Sequence, residues 1–187
     1  MKKPTYVNLS GMSALVADGS EGFISIIAGM LREFGVSPVQ RAVTGERALQ
    51  MLNSQQIDLA FIDCFLPGID GFALTRELRS KAGANQMITV MIMTGHAQHS
   101  NVIRARDEGA NMVIAKPISA MGLYDRLAWA SENPRDFVIC DAYIGPDRRH
   151  KIEGYPGGGR REMDVKVAVD EQKKPDLSQS EIDTNSN

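Results

Sequence analysis

One carboxylate, Asp63, closes the apolar run 57–62, and the turn residues Pro67 and Gly68 follow close behind. A run of that length reads as a buried strand, with Asp63 at its carboxyl end. In open α/β sheets ligands bind at that edge. An Asp placed there can be a nucleophile, a metal ligand or both. Three other polar residues end apolar runs in the same way. Asp18 follows Leu15-Val16-Ala17, Thr94 follows Val90-Met91-Ile92-Met93 and precedes Gly95, and Lys116 follows Val113-Ile114-Ala115 and precedes Pro117. Two acids, a hydroxyl and an ammonium group on one edge suit a phosphoryl group. The carboxylate can attack phosphorus, Lys116 can neutralise one phosphoryl oxygen, and the Thr94 hydroxyl can donate to another. A divalent cation held by the acids would screen carboxylate from phosphate.

The elements that must position these residues are legible. Strand-like runs at 14–17, 39–43, 57–62, 88–93 and 112–115 alternate with helical patterns at 22–34, 45–52, 71–81, 100–108 and 120–131. In the first helix Phe23, Ile26, Ile27, Met30, Leu31 and Phe34 recur at helical spacing. Asp70 reads as the cap of the helix that opens at Gly71. The β-α alternation predicts a parallel sheet with helices on both faces.

The bulk numbers narrow the function. The chain has 187 residues and a formal net charge of −2, so no global field favours nucleic acid or a membrane surface. No apolar run approaches the roughly 20 residues of a membrane span. The start, Met1-Lys2-Lys3-Pro4-Thr5-Tyr6, is basic, but no signal-peptide core follows it. Cys64 and Cys140 make neither a disulfide framework nor a metal set. They read as reduced thiols of a cytoplasmic protein, Cys64 being a small apolar residue beside the site.

With these motifs in order, residues 13–132 resemble the receiver domain of bacterial response regulators, the phosphoacceptor half of two-component signalling. The resemblance implies a doubly wound five-stranded parallel sheet, flavodoxin-like, in the order 2-1-3-4-5 known from CheY. It implies that Asp63 is the phosphoacceptor, that Thr94, Gly95 and Lys116 bind the phosphoryl group, and that the Lys116-Pro117 bond is often cis. It also implies Mg2+ held by Asp18, Asp63 and the backbone carbonyl of Phe65. The expected donor is a histidine kinase or histidine phosphotransferase, and the expected output is an altered protein contact, with a homodimer left open. Such a protein helps form its own acyl phosphate and is not an enzyme acting on an external substrate.

Four positions are where this chain departs from the pattern or tunes it. Receivers carry two adjacent acids after the first strand, and this chain has Asp18-Gly19. The missing acid predicts weaker magnesium binding, because a hard-cation site loses one charge and one oxygen. Glu21 is close in sequence but reads as the opening of the helix. Many receivers place Tyr or Phe in the fifth strand as a rotating switch, and this chain has Val113 there. A signal must then travel through the loop after Thr94 or by helix repacking. Phe65 and His96 border the path of the water that removes phosphate. Phe65 predicts slow loss by excluding water, while His96 could position a water as a base.

Beyond Ser131 the composition changes. Asn133-Pro134 breaks the last helix, and the segment 133–187 holds nine Lys and Arg against eleven Asp and Glu with little periodic apolar pattern. It reads as a mostly disordered tail following the short lead 1–12 and the receiver. Short strands are expected at 136–140 and 165–169. The basic stretch 143–151, Tyr143-Ile144-Gly145-Pro146-Asp147-Arg148-Arg149-His150-Lys151, is similar to Gly-Pro-Asp-Arg-Arg segments that follow receivers in some alphaproteobacterial regulators. No helix-turn-helix pattern accompanies it, so no nucleic acid is expected. The nearest alternative is a degenerate receiver that binds partners without being phosphorylated. A phosphohydrolase would want an acid where Phe65 stands. A flavin protein would want a longer, less acidic loop than Gly19-Ser20-Glu21-Gly22.

Overall fold

A computed structural model describes residues 7–96, 98–140, 142–148 and 165–167. Five parallel strands, β1 (Ala14–Ala17), β2 (Val39–Ala42), β3 (Leu59–Asp63), β4 (Thr89–Thr94) and β5 (Met112–Ala115), form one sheet in the order β2-β1-β3-β4-β5. Five helices connect them: α1 (Glu21–Glu33), α2 (Gly45–Ser54), α3 (Gly71–Ser80), α4 (His99–Asp107) and α5 (Ala120–Glu132). This is the doubly wound, flavodoxin-like fold expected from the sequence.

The period of two along each strand divides the core. Leu15, Ala17, Ala60, Ile62, Val90 and Ile92 face α2, α3 and Ala105 of α4. Ala14, Val16, Phe61, Met91, Met93 and Ile114 face α1 and α5. The central strands are therefore covered on both sides, which is why they read as unbroken apolar runs. Most helices start where a side chain satisfies a free backbone N–H. Ser20 accepts from Phe23, Thr44 from Arg47, Asp70 from Ala73 and Ser119 from Gly122. Only α4 begins without such a bond, at Gln98.

One boundary moved. Ile57 and Asp58 precede β3 rather than opening it. Asn85 Oδ1 accepts the Ile57 N–H at 3.0 Å, and the Asp58 carboxylate accepts from the backbone and hydroxyl of Ser13. Side chains thus take the N–H groups of Ile57 and Ser13 that a strand ladder would have paired, while the Asp58 backbone still bonds Ser13 and Thr89.

The expected tail also differs in its described part. Three antiparallel strands, β6 (Phe137–Cys140), β7 (Tyr143–Pro146) and β8 (Val165–Val167), form a second sheet in the order β7-β6-β8. Strands were expected near β6 and β8 but not at β7. The expectation of disorder over the rest of 149–187 lies outside the described residues.

The β6-β7 hairpin closes over a buried arginine. Arg79, 2% exposed, donates to the carbonyls of Gly109, Gln86 and Ile88 and to Asn111 Oδ1. The Phe137 ring centroid lies 5.0 Å from its guanidinium carbon. Burial lowers the Arg79 pKa to about 9, which leaves it charged at neutral pH. At Gly109, with φ +94, an added Cβ would stand 2.9 Å from Arg79 Cγ and 3.0 Å from the Ile144 carbonyl. A glycine there lets the hairpin seat against the α4–β5 turn. Arg148 then bridges to Asp107 at 3.0 Å and stacks on Tyr143.

Candidate functional site

The strand ends bring Asp18, Asp63 and Lys116 together. Asp63 is the last residue of β3, and Asp18 and Lys116 lie one residue past β1 and β5. They are 98 and 53 positions from Lys116, yet its ammonium donates to Asp18 Oδ2 and to Asp63 Oδ1, the latter at 2.8 Å. Asp18 is 3% exposed and Asp63 9%. Burial alone would lower the Lys116 pKa. The hydrogen bonds and charges of Asp18 and Asp63 outweigh it and move the pKa up. The ammonium therefore stays protonated at neutral pH and holds two carboxylates that would otherwise repel each other. The Lys116-Pro117 bond is cis.

Local structure fixes each carboxylate further. The Ser20 N–H donates to Asp18 Oδ1 at 2.9 Å. After Asp63 the chain turns tightly back, and the Gly71 N–H donates to the Cys64 carbonyl. A Cβ on Gly71 would lie 2.2 Å from the Asp63 carbonyl oxygen. Only glycine allows α3 to start this close beneath the site.

Thr94 ends β4 on the same edge and is buried, but its hydroxyl is engaged elsewhere. It accepts from the His96 N–H at 3.1 Å and donates to the His96 carbonyl at 3.0 Å. Gly95 faces open space, since an added Cβ would meet nothing within 4 Å. His96 is exposed, and its carbonyl also accepts from Asn101. Phe65 is 64% exposed, so its ring stands largely in solvent. Val113 is half-buried and packs on the α2–α3–α4 side of the core. Cys64 is fully buried, and that burial pushes its thiol pKa up, which makes it a packing residue in its present surroundings. Asp70 caps α3, as expected, and also meets Arg104 at 3.1 Å. Glu21 opens α1 and is exposed.

One neighbour of the site escaped the sequence reading. The Phe23 ring centroid lies 4.4 Å from Lys116 Nζ. Its helical spacing with Ile27 and Leu31 marks it as core, and nothing local links it to residue 116.

The family model of the response regulator receiver domain matches residues 14–128. The chain belongs to the response regulator receiver family. Chemotaxis protein CheY-3 of Vibrio cholerae is 30% identical over 116 residues, which cover 62% of this chain and 88% of that protein. Chemotaxis protein CheY of Pseudomonas aeruginosa is 29% identical over the same length and is covered to 93%. Among solved structures, the receiver domain of a sensor histidine kinase from Pseudomonas aeruginosa PAO1 is similar with a TM-score of 0.57 and 26% identity. The likeness covers 64% of this chain and 95% of that one, which holds a magnesium ion in its active site cleft. A Francisella response regulator receiver domain gives a TM-score of 0.58 at 26% identity, covering 66% and 100%. The match ends before β6, so the hairpin is an addition of this chain to the receiver.

The acids gathered at the strand ends suit a hard cation in kind. Two carboxylates and a backbone carbonyl are oxygen ligands of the sort magnesium takes, with water filling the remaining positions. Among the described residues no three His, Cys, Asp or Glu side chains cluster in a way that could hold a metal. Among those residues, too, no helix is long and apolar enough to cross a membrane.

Proposed function

We propose that this receiver accepts a phosphoryl group from a phosphohistidine onto Asp63 and signals through protein contacts. The observation that carries the reading is the Asp18–Lys116–Asp63 bridge, because it gathers three strand ends, two carboxylates and one ammonium, into one site suited to a phosphoryl group. A carboxylate oxygen of Asp63 attacks phosphorus. The P–N bond to the donor imidazole breaks, its electron pair returns to nitrogen, and an acyl phosphate forms. Lys116 turns from Asp63 Oδ1 to a phosphoryl oxygen as the negative charge moves outward. Thr94 exchanges its two bonds with the His96 backbone for one to the phosphoryl group.

That exchange supplies the output. His96 lies two residues before Gln98, the uncapped start of α4. Releasing Thr94 from it frees the loop that holds the helix, while Val113 stays packed and takes no part. The protein acts in the cytoplasm, receives its phosphoryl group from a histidine kinase or histidine phosphotransferase, and turns over no external substrate. Phosphorylation is tested by incubating the full chain with acetyl phosphate and magnesium and weighing it intact. A gain of one PO₃ group per chain supports the reading. No gain would leave a receiver that binds its partners without phosphorylation.

Asp18, Asp63 and the Phe65 carbonyl would hold magnesium, which when bound screens the approaching phosphate. Their affinity is reduced because Gly19 contributes no carboxylate. Gly19→Asp is expected to tighten magnesium binding about tenfold, the worth of roughly 1.4 kcal/mol. The new Cβ meets only the Pro67 ring, 3.3 Å from Cδ and 3.4 Å from Cγ, a contact that a small ring shift relieves. Isothermal titration of both proteins checks it, and equal affinities would remove Gly19 from the account.

Phe65, which lies two residues after the phosphoacceptor, sets the lifetime of the acyl phosphate. Phe65→Asn is expected to shorten it severalfold, because an amide beside the acyl phosphate can hydrogen-bond and orient the attacking water and a phenyl ring cannot. Timing the loss of the PO₃ adduct by mass measures this, and an unchanged half-life would clear the residue.

A further inference from the structure

We infer that Phe23 is a positioning residue that fixes the Lys116 ammonium between Asp18 and Asp63. Its consequence for phosphoryl transfer rests on the receiver reading above. A lysine carries a compact charge on a flexible four-carbon stem and has three donors. Here one donor is directed to Asp18 Oδ2 and one to Asp63 Oδ1. A further side of the ammonium faces the Phe23 ring, whose centroid is 4.4 Å from Nζ. The negative face of an aromatic ring attracts a cation at that distance, most strongly where water is excluded. Lys116 is largely buried, its side chain 20% exposed.

The backbone around Phe23 is tied to the same site. Ser20 donates its N–H to Asp18 Oδ1, and its hydroxyl accepts the N–H of Phe23 at 3.3 Å. One short segment, 18–23, therefore sets both a carboxylate and a ring around the same ammonium. The inner side of the ring packs on the α1–α5 side of the core, so the ring cannot swing away freely. The ring is the third group about the ammonium, beside the two carboxylates. It limits the positions Nζ can reach while Lys116 moves from the carboxylate to the phosphoryl oxygen.

The test separates the ring from its bulk. Phe23→Leu keeps an apolar side chain at the start of α1 but removes the ring, and Phe23→Tyr keeps the ring. In the full-length protein, the Lys116 ε-methylene protons are expected to resonate upfield of ordinary lysines because of the ring current. They should return to the ordinary position in Phe23→Leu and stay shifted in Phe23→Tyr. The rate of phosphate uptake from acetyl phosphate should fall about three- to tenfold in Phe23→Leu, the size of a partly desolvated cation–π contact. Phe23→Tyr should restore it. A Lys116 signal indifferent to Phe23→Leu overturns the inference, as does a Phe23→Leu rate equal to wild type in a protein that takes up phosphate. If wild type takes up none while the Lys116 signal still moves, the ring's hold on the ammonium stands and the phosphorylation reading falls.

Discussion

Full-length Asp63→Asn protein is expected to gain no mass from acetyl phosphate and magnesium, under conditions where wild type gains one PO₃ group. The amide keeps the shape of the carboxylate and can still accept from Lys116, so the fold should survive. What it lacks is an oxygen with the charge to attack phosphorus. The other acid in contact with Lys116, Asp18, does not substitute. Both of its oxygens are engaged, one by the Ser20 N–H and one by Lys116, whereas for Asp63 the Lys116 bond is to Oδ1. Any acceptance by Asp18 would appear as residual adduct in Asp63→Asn. The effect should be all or none, well beyond the severalfold changes expected at Phe65 or Phe23. A full adduct in the variant would place the acceptor elsewhere and remove the basis of the functional reading.

The second large effect lies at the other end of the sheet. Arg79→Met should destabilise the protein by about 3–5 kcal/mol, through three backbone carbonyls left without the guanidinium donor. Those carbonyls belong to Gly109, Gln86 and Ile88, while the Asn111 side chain loses one of its two donors and keeps the Val90 N–H. For a chain of this size that lowers the melting temperature by roughly 10 °C. Phe137→Ala should cost about 3 kcal/mol, since it empties the space over the guanidinium. Urea unfolding followed by circular dichroism measures both. A change under about 1 kcal/mol in each would mean that the hairpin is a loose appendage. Large losses in both would make it part of the receiver's folding unit, and would predict that cutting the chain after residue 133 weakens the domain rather than freeing it of a tail.

Much of this protein was determined by local pattern alone. Each site residue ends an apolar strand, and a buried strand in a doubly wound sheet has one direction and one ligand-binding edge. The positions of Asp18, Asp63, Thr94 and Lys116 on that edge follow from this, whereas the order of the sheet was implied only by the resemblance to receivers. The absence of an acid at Gly19 and of an aromatic ring at Val113 is equally plain, because both are single-residue statements. Tertiary structure decided what depends on partners far apart in sequence. Tyr143-Ile144-Gly145-Pro146 carries the Gly-Pro signature of a turn, yet it forms a strand because Gly109 leaves room for its backbone and Tyr143 donates to the Pro146 carbonyl. Arg79 sits in an ordinary amphipathic helix and becomes the most deeply buried charge among the described residues where the hairpin closes on it. Phe23 looks like core until the fifth strand brings an ammonium to its face. Periodicity reports which side of an element is apolar. Which group from a hundred residues away will meet that side is set by the packing of the whole chain.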